Sequence, residues 1–416
     1  MTIDTASKRK WTLGIFFVVL LAYVVSAGSL LLRQSATPQY VHLAWAFLHG
    51  HVDLITQLPN NWDLIRFENR WYVPGEVMPA ILVMPFVAIF GTGLSDILFG
   101  VIVGALNAAL LFSLLTRIAR SPVTAAWLAL LFGVGTVHWY VSVIGGVWMS
   151  AHITAVLFMI LYARAAMDGH AWRSGFFLSC ASLSRPPTLF AAIFFVVIVF
   201  LDEPMQRART EKLAKFGTAL LAAVGVMLTY NFLRFGSFVD FGYTYVQGNA
   251  TLVGAYRAGG GFNWKYVPCH VYISLFALPN FGGLPDPKIG IFCGHLPGLR
   301  NHFEGVWSFF NPMGMSMFLT TPAFLLVFRK KPSSAIVAAS WLGLLAVLDV
   351  DWLYHTTGWV QFGYRYCLDY IVFIFILLAY AVPRIRVLES ALMLVSMALA
   401  LAGMLTMRSN FYGWSW

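Results

Sequence analysis

The chain sets long apolar runs between short polar connectors over most of its 416 residues. Runs at 11–32, 96–116, 123–141, 149–167, 174–184, 187–201, 216–233, 311–328, 334–350, 366–382 and 387–406 give about eleven predicted transmembrane helices. Roughly 20 helical residues cover the ~30 Å of bilayer hydrocarbon, and the longer runs meet that requirement. The pair 174–184 and 187–201 is short and is divided by Pro186-Pro187, where an ordinary helix cannot continue. One run is different. Residues 77–91 are apolar but few, and they contain Pro79 and Pro85, so they read as a juxtamembrane helix in the first outer loop. A second such helix is predicted at 37–50, with His42, Trp45 and His49 spaced three and four apart on one face.

Composition turns this pattern into a class. Hydrophobic residues make up 59% and charged residues 11%, with mean hydropathy +0.75, against roughly 25% charge in a soluble domain. The surplus apolar surface must face lipid, so the chain is an all-α polytopic membrane protein, a single membrane domain over 1–416. A disulfide-stapled secreted domain, a nucleic-acid binder and a cytosolic enzyme are excluded.

The net charge of +10 then orients the chain. With 77–91 on the outer surface, sixteen of the 27 basic residues and six of the 17 acids fall on one side, leaving eleven of each on the other. Lys8-Arg9-Lys10 and Arg329-Lys330-Lys331 belong to the basic side. Basic connectors stay in the cytoplasm. The N-terminus is therefore expected there, in a multi-pass plasma (inner) membrane protein whose run at 11–32 is an uncleaved span.

Two outer segments, 33–95 and 234–310, are too long to be plain connectors. They are rich in aromatic residues and glycine and poor in charge, so they should fold onto the outer face and carry the chemistry. Cys269 and Cys293 share the second segment, where a disulfide or two buried thiols would both fit. Cys180 and Cys367 fall within spans. No cysteine and histidine spacing suggests zinc.

The candidate chemistry follows from charge at membrane depth. Asp63, in Asn60-Asn61-Trp62-Asp63-Leu64, is an acid among aromatic residues that can serve as a general base or pair with Arg66 or Arg70. Asp53 is the second catalytic candidate. Arg185, in Ser184-Arg185-Pro186-Pro187, can bind a phosphate bidentately or anchor to headgroups. Arg365 can bind an anion or neutralise the nearby Asp369. His42, His152, Arg70 and Tyr72 complete the substrate-binding candidates. Asp349-Val350-Asp351 has the spacing of a cation-binding D-x-D, a pattern short enough to arise by chance, and a divalent cation is the one cofactor it would suggest.

In their order along the chain these features resemble the GT-C class of integral-membrane glycosyltransferases, in the bacterial group related to protein mannosyltransferases and lipid A aminoarabinose transferase. The resemblance rests on the two juxtamembrane helices, Leu183-Ser184-Arg185-Pro186, Tyr230-Asn231-Phe232-Leu233-Arg234-Phe235-Gly236 with Phe241-Gly242-Tyr243, and Phe362-Gly363-Tyr364-Arg365-Tyr366. It implies an inverting transferase that uses a polyprenyl-phosphate-linked sugar at the outer face to glycosylate an envelope glycan, lipid or protein. On that basis Asp63 is the base, and Arg185 and Arg365 hold phosphate. The chain departs from the group at Ser35-Ala36-Thr37-Pro38-Gln39-Tyr40, where many relatives carry acids, and again between Gly145 and His152. The alternative is a non-catalytic protein of the same fold that binds or translocates a polyprenyl-linked lipid.

Overall fold

A computed structural model describes residues 4–58, 60–75, 77–280, 286–296, 308–358 and 360–412; the expectations that fall on Glu76 and Trp359 lie outside them. Helices α1 (Thr5–Ala27), α2 (Gln39–Leu48), α3 (Met78–Phe90), α4 (Asp96–Leu115), α5 (Pro122–Val134) and α6 (His138–Ile144) make the first part. Then follow α7 (Val147–Met167), α8 (Ala171–Ser182), α9 (Ala192–Asp202), α10 (Gln206–Phe235) and α11 (Ala250–Gly259). Three short helices, α12 (Val267–Val271), α13 (Pro287–Phe292) and α14 (Met317–Thr320), precede α15 (Ala335–Trp352), α16 (Ile371–Ala381) and α17 (Val387–Tyr412).

Among the described residues six helices are long and apolar enough to cross a membrane, or seven if α5 and α6, bent by 51° at their break, form one span. The eleven expected spans are therefore not all full-length helices. The runs at 174–184, 187–201 and 366–382 fold as the shorter α8, α9 and α16. Residues 311–328 are no continuous helix: α14 gives way to a 3-10 turn at Pro322–Phe328. Proline 322 donates no backbone hydrogen bond and its ring obstructs the preceding turn, which explains the break.

Burial sorts the helices. α16 is apolar on every side and buried along nearly its whole length, as a helix at the centre of a bundle must be. α1 shows the opposite distribution. It buries Ile15, Val19 and Tyr23, four residues apart, and exposes Phe17, Leu21 and Val25. Those exposed side chains have hydrocarbon as their natural partner. The Tyr23 hydroxyl is satisfied inside the bundle by the Gly133 carbonyl at 2.7 Å.

The segment 33–95 folds as expected into two juxtamembrane helices, α2 packed on α3. It also contains a small sheet the hydropathy pattern did not disclose. Strands β1 (Leu64–Phe67) and β2 (Arg70–Tyr72) form an antiparallel hairpin, and β3 (Val246–Gln247) pairs on the other edge of β1. Glu68 and Asn69, at the turn, both have positive φ (45° and 60°), the backbone of a tight two-residue hairpin. Through β3 the sheet ties the two long segments together. Cys269 and Cys293 form a disulfide in the second segment.

Asp96, at the start of α4, joins the segments in which acids were absent. It accepts hydrogen bonds from the Ser35 N–H at 2.8 Å, the Ser35 hydroxyl at 2.5 Å and the Gly146 N–H at 2.7 Å. With its donors paired, Asp96 is a structural clasp. Asp96→Ala would strand these donors and lower stability by about 2–4 kcal/mol, read as a fall in the unfolding temperature of the purified protein. Glu68→Ala, on the hairpin turn, should shift it little.

Candidate active site

Three neighbouring cavities open where 33–95 and 234–310 meet the helices and turns they pack on. The central cleft, about 720 Å³, is lined by Asp63, Arg185, Arg365, Tyr256, His355 and Tyr366, among others. A second cavity of about 1030 Å³ shares Arg185 with it and is walled by Pro186, Pro187, Phe241 and Phe262. A third of about 1670 Å³ shares Asp63 and Arg365 and is bordered by Thr37, Asn61, Trp62 and Tyr412. Asp63 and the two arginines thus meet in one cleft.

Asp63 is held from several sides. Its backbone is left-handed (φ 59°), a conformation aspartate tolerates better than most residues. Its N–H donates to the Gln247 carbonyl at 2.9 Å, which fixes it to β3. The Trp148 indole, at the start of α7, donates to its Oδ2 at 3.0 Å. A side chain at Gly248 would stand 2.9 Å from Oδ1, so glycine there lets the backbone pass close to the acid. Burial holds the Asp63 carboxyl above its ordinary range, opposed by the Trp148 hydrogen bond and the Arg365 charge. A raised carboxyl within reach of a cleft is suited to taking a proton near neutral pH.

The two arginines differ. Arg185 is not free: Nη2 donates to Asp369 Oδ2 at 2.7 Å, and Nε lies 3.2 and 3.1 Å from its two oxygens. It also stacks over Tyr366, with 4.9 Å to the ring centre. His152, fully buried on α7, donates from Nδ1 to Asp369 Oδ1 at 3.1 Å. Arg185, rather than the sequence neighbour Arg365, therefore neutralises Asp369. Arg365 is only 6% exposed, and its Nε has no hydrogen-bond partner among the described residues. Its guanidinium borders both the central cleft and the third cavity.

Other sequence-derived candidates lie apart from the cleft lining. Asp53 sits 3.8 Å from Arg70 and 3.4 Å from His51, forming a hairpin-side cluster, and Arg70 is largely exposed. Tyr72 packs with Ile65 and Phe235 beneath the sheet. His42 is buried, with Nδ1 2.6 Å from the Thr56 hydroxyl, while His49 is exposed and bonded to the Trp45 carbonyl, so the two do not act as a pair. The D-x-D does not converge. Residues two apart on a helix lie about 200° apart, and Asp351 is buried while Asp349 is exposed. No group of three or more potential metal ligands is found among the described residues. The Tyr243, Tyr256, Tyr354 and His355 lining was not anticipated; the density of aromatic residues in the second segment was a signal for the first two, while Tyr354 and His355 lie outside it, just after α15.

No family model matches the chain, and no curated protein matches it. Solved structures do. The chain is similar to ArnT from Cupriavidus metallidurans bound to undecaprenyl phosphate, with 14% identity and a TM-score of 0.53, over 94% of this chain and 64% of that one. It is also similar to the oligosaccharyltransferase of Archaeoglobus fulgidus in its apo form, with 12% identity and a TM-score of 0.50, over 97% of this chain and 56% of that one. The chain spans 64% and 56% of the lengths of these proteins. It shares the fold of these two proteins, and its long apolar helices make it a multi-pass membrane protein.

The buried ion pair is open to test. Arg185→Ala would leave Asp369 charged with His152 alone and cost about 3–5 kcal/mol. The double variant with Asp369→Asn should unfold at a higher temperature than Arg185→Ala, because it removes the stranded charge.

Proposed function

We propose that the protein is an inverting glycosyltransferase that takes its sugar from a polyprenyl-phosphate donor at the exterior face of the inner membrane, with its N-terminus in the cytoplasm. The observation that carries this reading is the meeting of a half-buried acid, Asp63, with Arg365, whose Nε is unpaired among the described residues, in one cleft. The apolar cavity beside Arg185, walled by Pro186, Pro187, Phe241 and Phe262, suits an isoprenoid chain. The larger cavity, reached past Asp63, suits an acceptor belonging to an envelope glycan, lipid or protein.

Each group has one task in this scheme. The Asp63 carboxylate removes the proton from an acceptor hydroxyl as its oxygen attacks the sugar C1. The bond from C1 to the phosphate oxygen breaks on the opposite side, and the phosphate leaves with the electron pair and is stabilised by Arg365. Arg185, already neutralised by Asp369, holds the shape of the phosphate end more than it supplies charge. Asp53, Arg70, Tyr72 and His42 support the hairpin and α2, and His152 positions Asp369.

A second reading, a non-catalytic lipid binder of the same fold, is favoured by one feature: the Ser35 and Gly146 positions are tied to Asp96 and present no acid. The deciding experiment is transfer of labelled sugar from polyprenyl phosphate by the purified protein. Asp63→Asn should lower turnover by roughly 10²–10⁴-fold while lipid binding persists. Wild type that binds the lipid but transfers nothing would establish the second reading.

Activity should also fall on the acid side as Asp63 gains its proton, with a midpoint above the ordinary carboxylate value of 3.8. The Trp148 hydrogen bond favours the ionised form, so Trp148→Phe should move that limb to higher pH. A limb unmoved in the pH profile of kcat/KM would separate Trp148 from the titrating group.

A further inference from the structure

We infer that Asp351 binds a hydroxyl group on the sugar of the donor, an inference that rests on the donor reading above. Asp351 stands in the last turn of α15 and is 1% exposed. Its Oδ2 is buried and has no hydrogen-bond partner among the described residues. A carboxyl oxygen sealed from water and left unpaired is costly, and native proteins keep few of them. Arg185, the nearby cation, gives its Nε and Nη2 hydrogen bonds to Asp369 and none to Asp351.

The cavity shows where a partner would come from. Arg185 and Asp351 are the two charged residues in the lining of the apolar cavity. A donor whose chain lies against Pro186 and Pro187 brings its phosphate to the arginines, and the group next to that phosphate is the sugar. Tyr243, Tyr256 and Tyr354 line both this cavity and the central cleft, so their aromatic faces border the same space. A hydroxyl answers either ionisation state of Asp351, donating to a carboxylate or accepting from a carboxylic acid.

The placement also separates the two acids by task. Asp63 lies where the central cleft meets the acceptor-side cavity, and Asp351 lines the cavity on the Arg185 side. Asp351 therefore reads the donor and takes no part in deprotonating the acceptor. Its substitution should change recognition and leave the pH profile set by Asp63 in place.

The test compares binding of undecaprenyl phosphate with binding of its glucosyl, galactosyl and mannosyl derivatives, by titration of the full-length protein in lipid nanodiscs. Wild type should prefer one sugar-bearing lipid over the bare carrier. Asp351→Leu should reduce that preference about 10- to 100-fold and leave bare-carrier affinity unchanged. Asp351→Asn, which keeps volume and one acceptor oxygen, should give an intermediate loss and serves if the leucine variant does not fold. A monodeoxy analogue of the preferred sugar should lose the same factor with wild type and nothing further with the variant. An unchanged preference in both variants, or equal weakening of bare and sugar-bearing lipids, overturns the inference. Wild type that binds the carrier without any sugar preference overturns it alone; wild type that binds neither lipid overturns the donor reading and this inference with it.

Discussion

The geometry of the cleft depends on the ion pair between Arg185 and Asp369. Each member would be expensive to bury alone, and together with His152 they compensate one another. The pair joins the proline break after α8 to the turn before α16, while His152 brings in α7. Three elements distant in sequence are thus fixed at one point under the loop face. Tyr366 is held there beneath the guanidinium, and Arg365, next to it, is left to face the cavity with an unspent charge.

The arrangement of cavities follows from the same constraint. Proline 186 and Proline 187 turn the chain so that Arg185 borders both the apolar cavity and the central cleft. On the far side, Asp63 and Arg365 border both the cleft and the large cavity. A charged corridor therefore runs between an apolar compartment and a mixed one. That is the layout two substrates of different chemistry need if they are to meet without sharing a route.

Much of the membrane architecture was legible in the sequence because the solvent dictates it: a segment crossing hydrocarbon must be apolar and helical. The juxtamembrane reading of 77–91 matches α3, since its length and prolines are local properties. The continuous span at 311–328 was misread because hydropathy alone takes no account of what Pro322 does to a helix. The hairpin escaped notice because its seven strand residues do not alternate cleanly and the Glu68-Asn69 turn carries none of the usual glycine signals. In the site, Asp63 stood out as an acid among aromatic residues. Its partner Trp148 lies 85 positions away, and Asp369 lies 184 from Arg185, separations that no local pattern encodes.

The left-handed backbone at Asp63 bears on how such a protein changes over time. Asparagine accepts that conformation as readily as aspartate, and the two side chains fill the same volume. Exchanging one for the other would keep the fold and the cavities and, under the proposed function, silence proton removal. On that proposal, enzyme and passive carrier are neighbours in sequence space, divided by a single oxygen-for-nitrogen swap that the scaffold would accommodate without rearrangement.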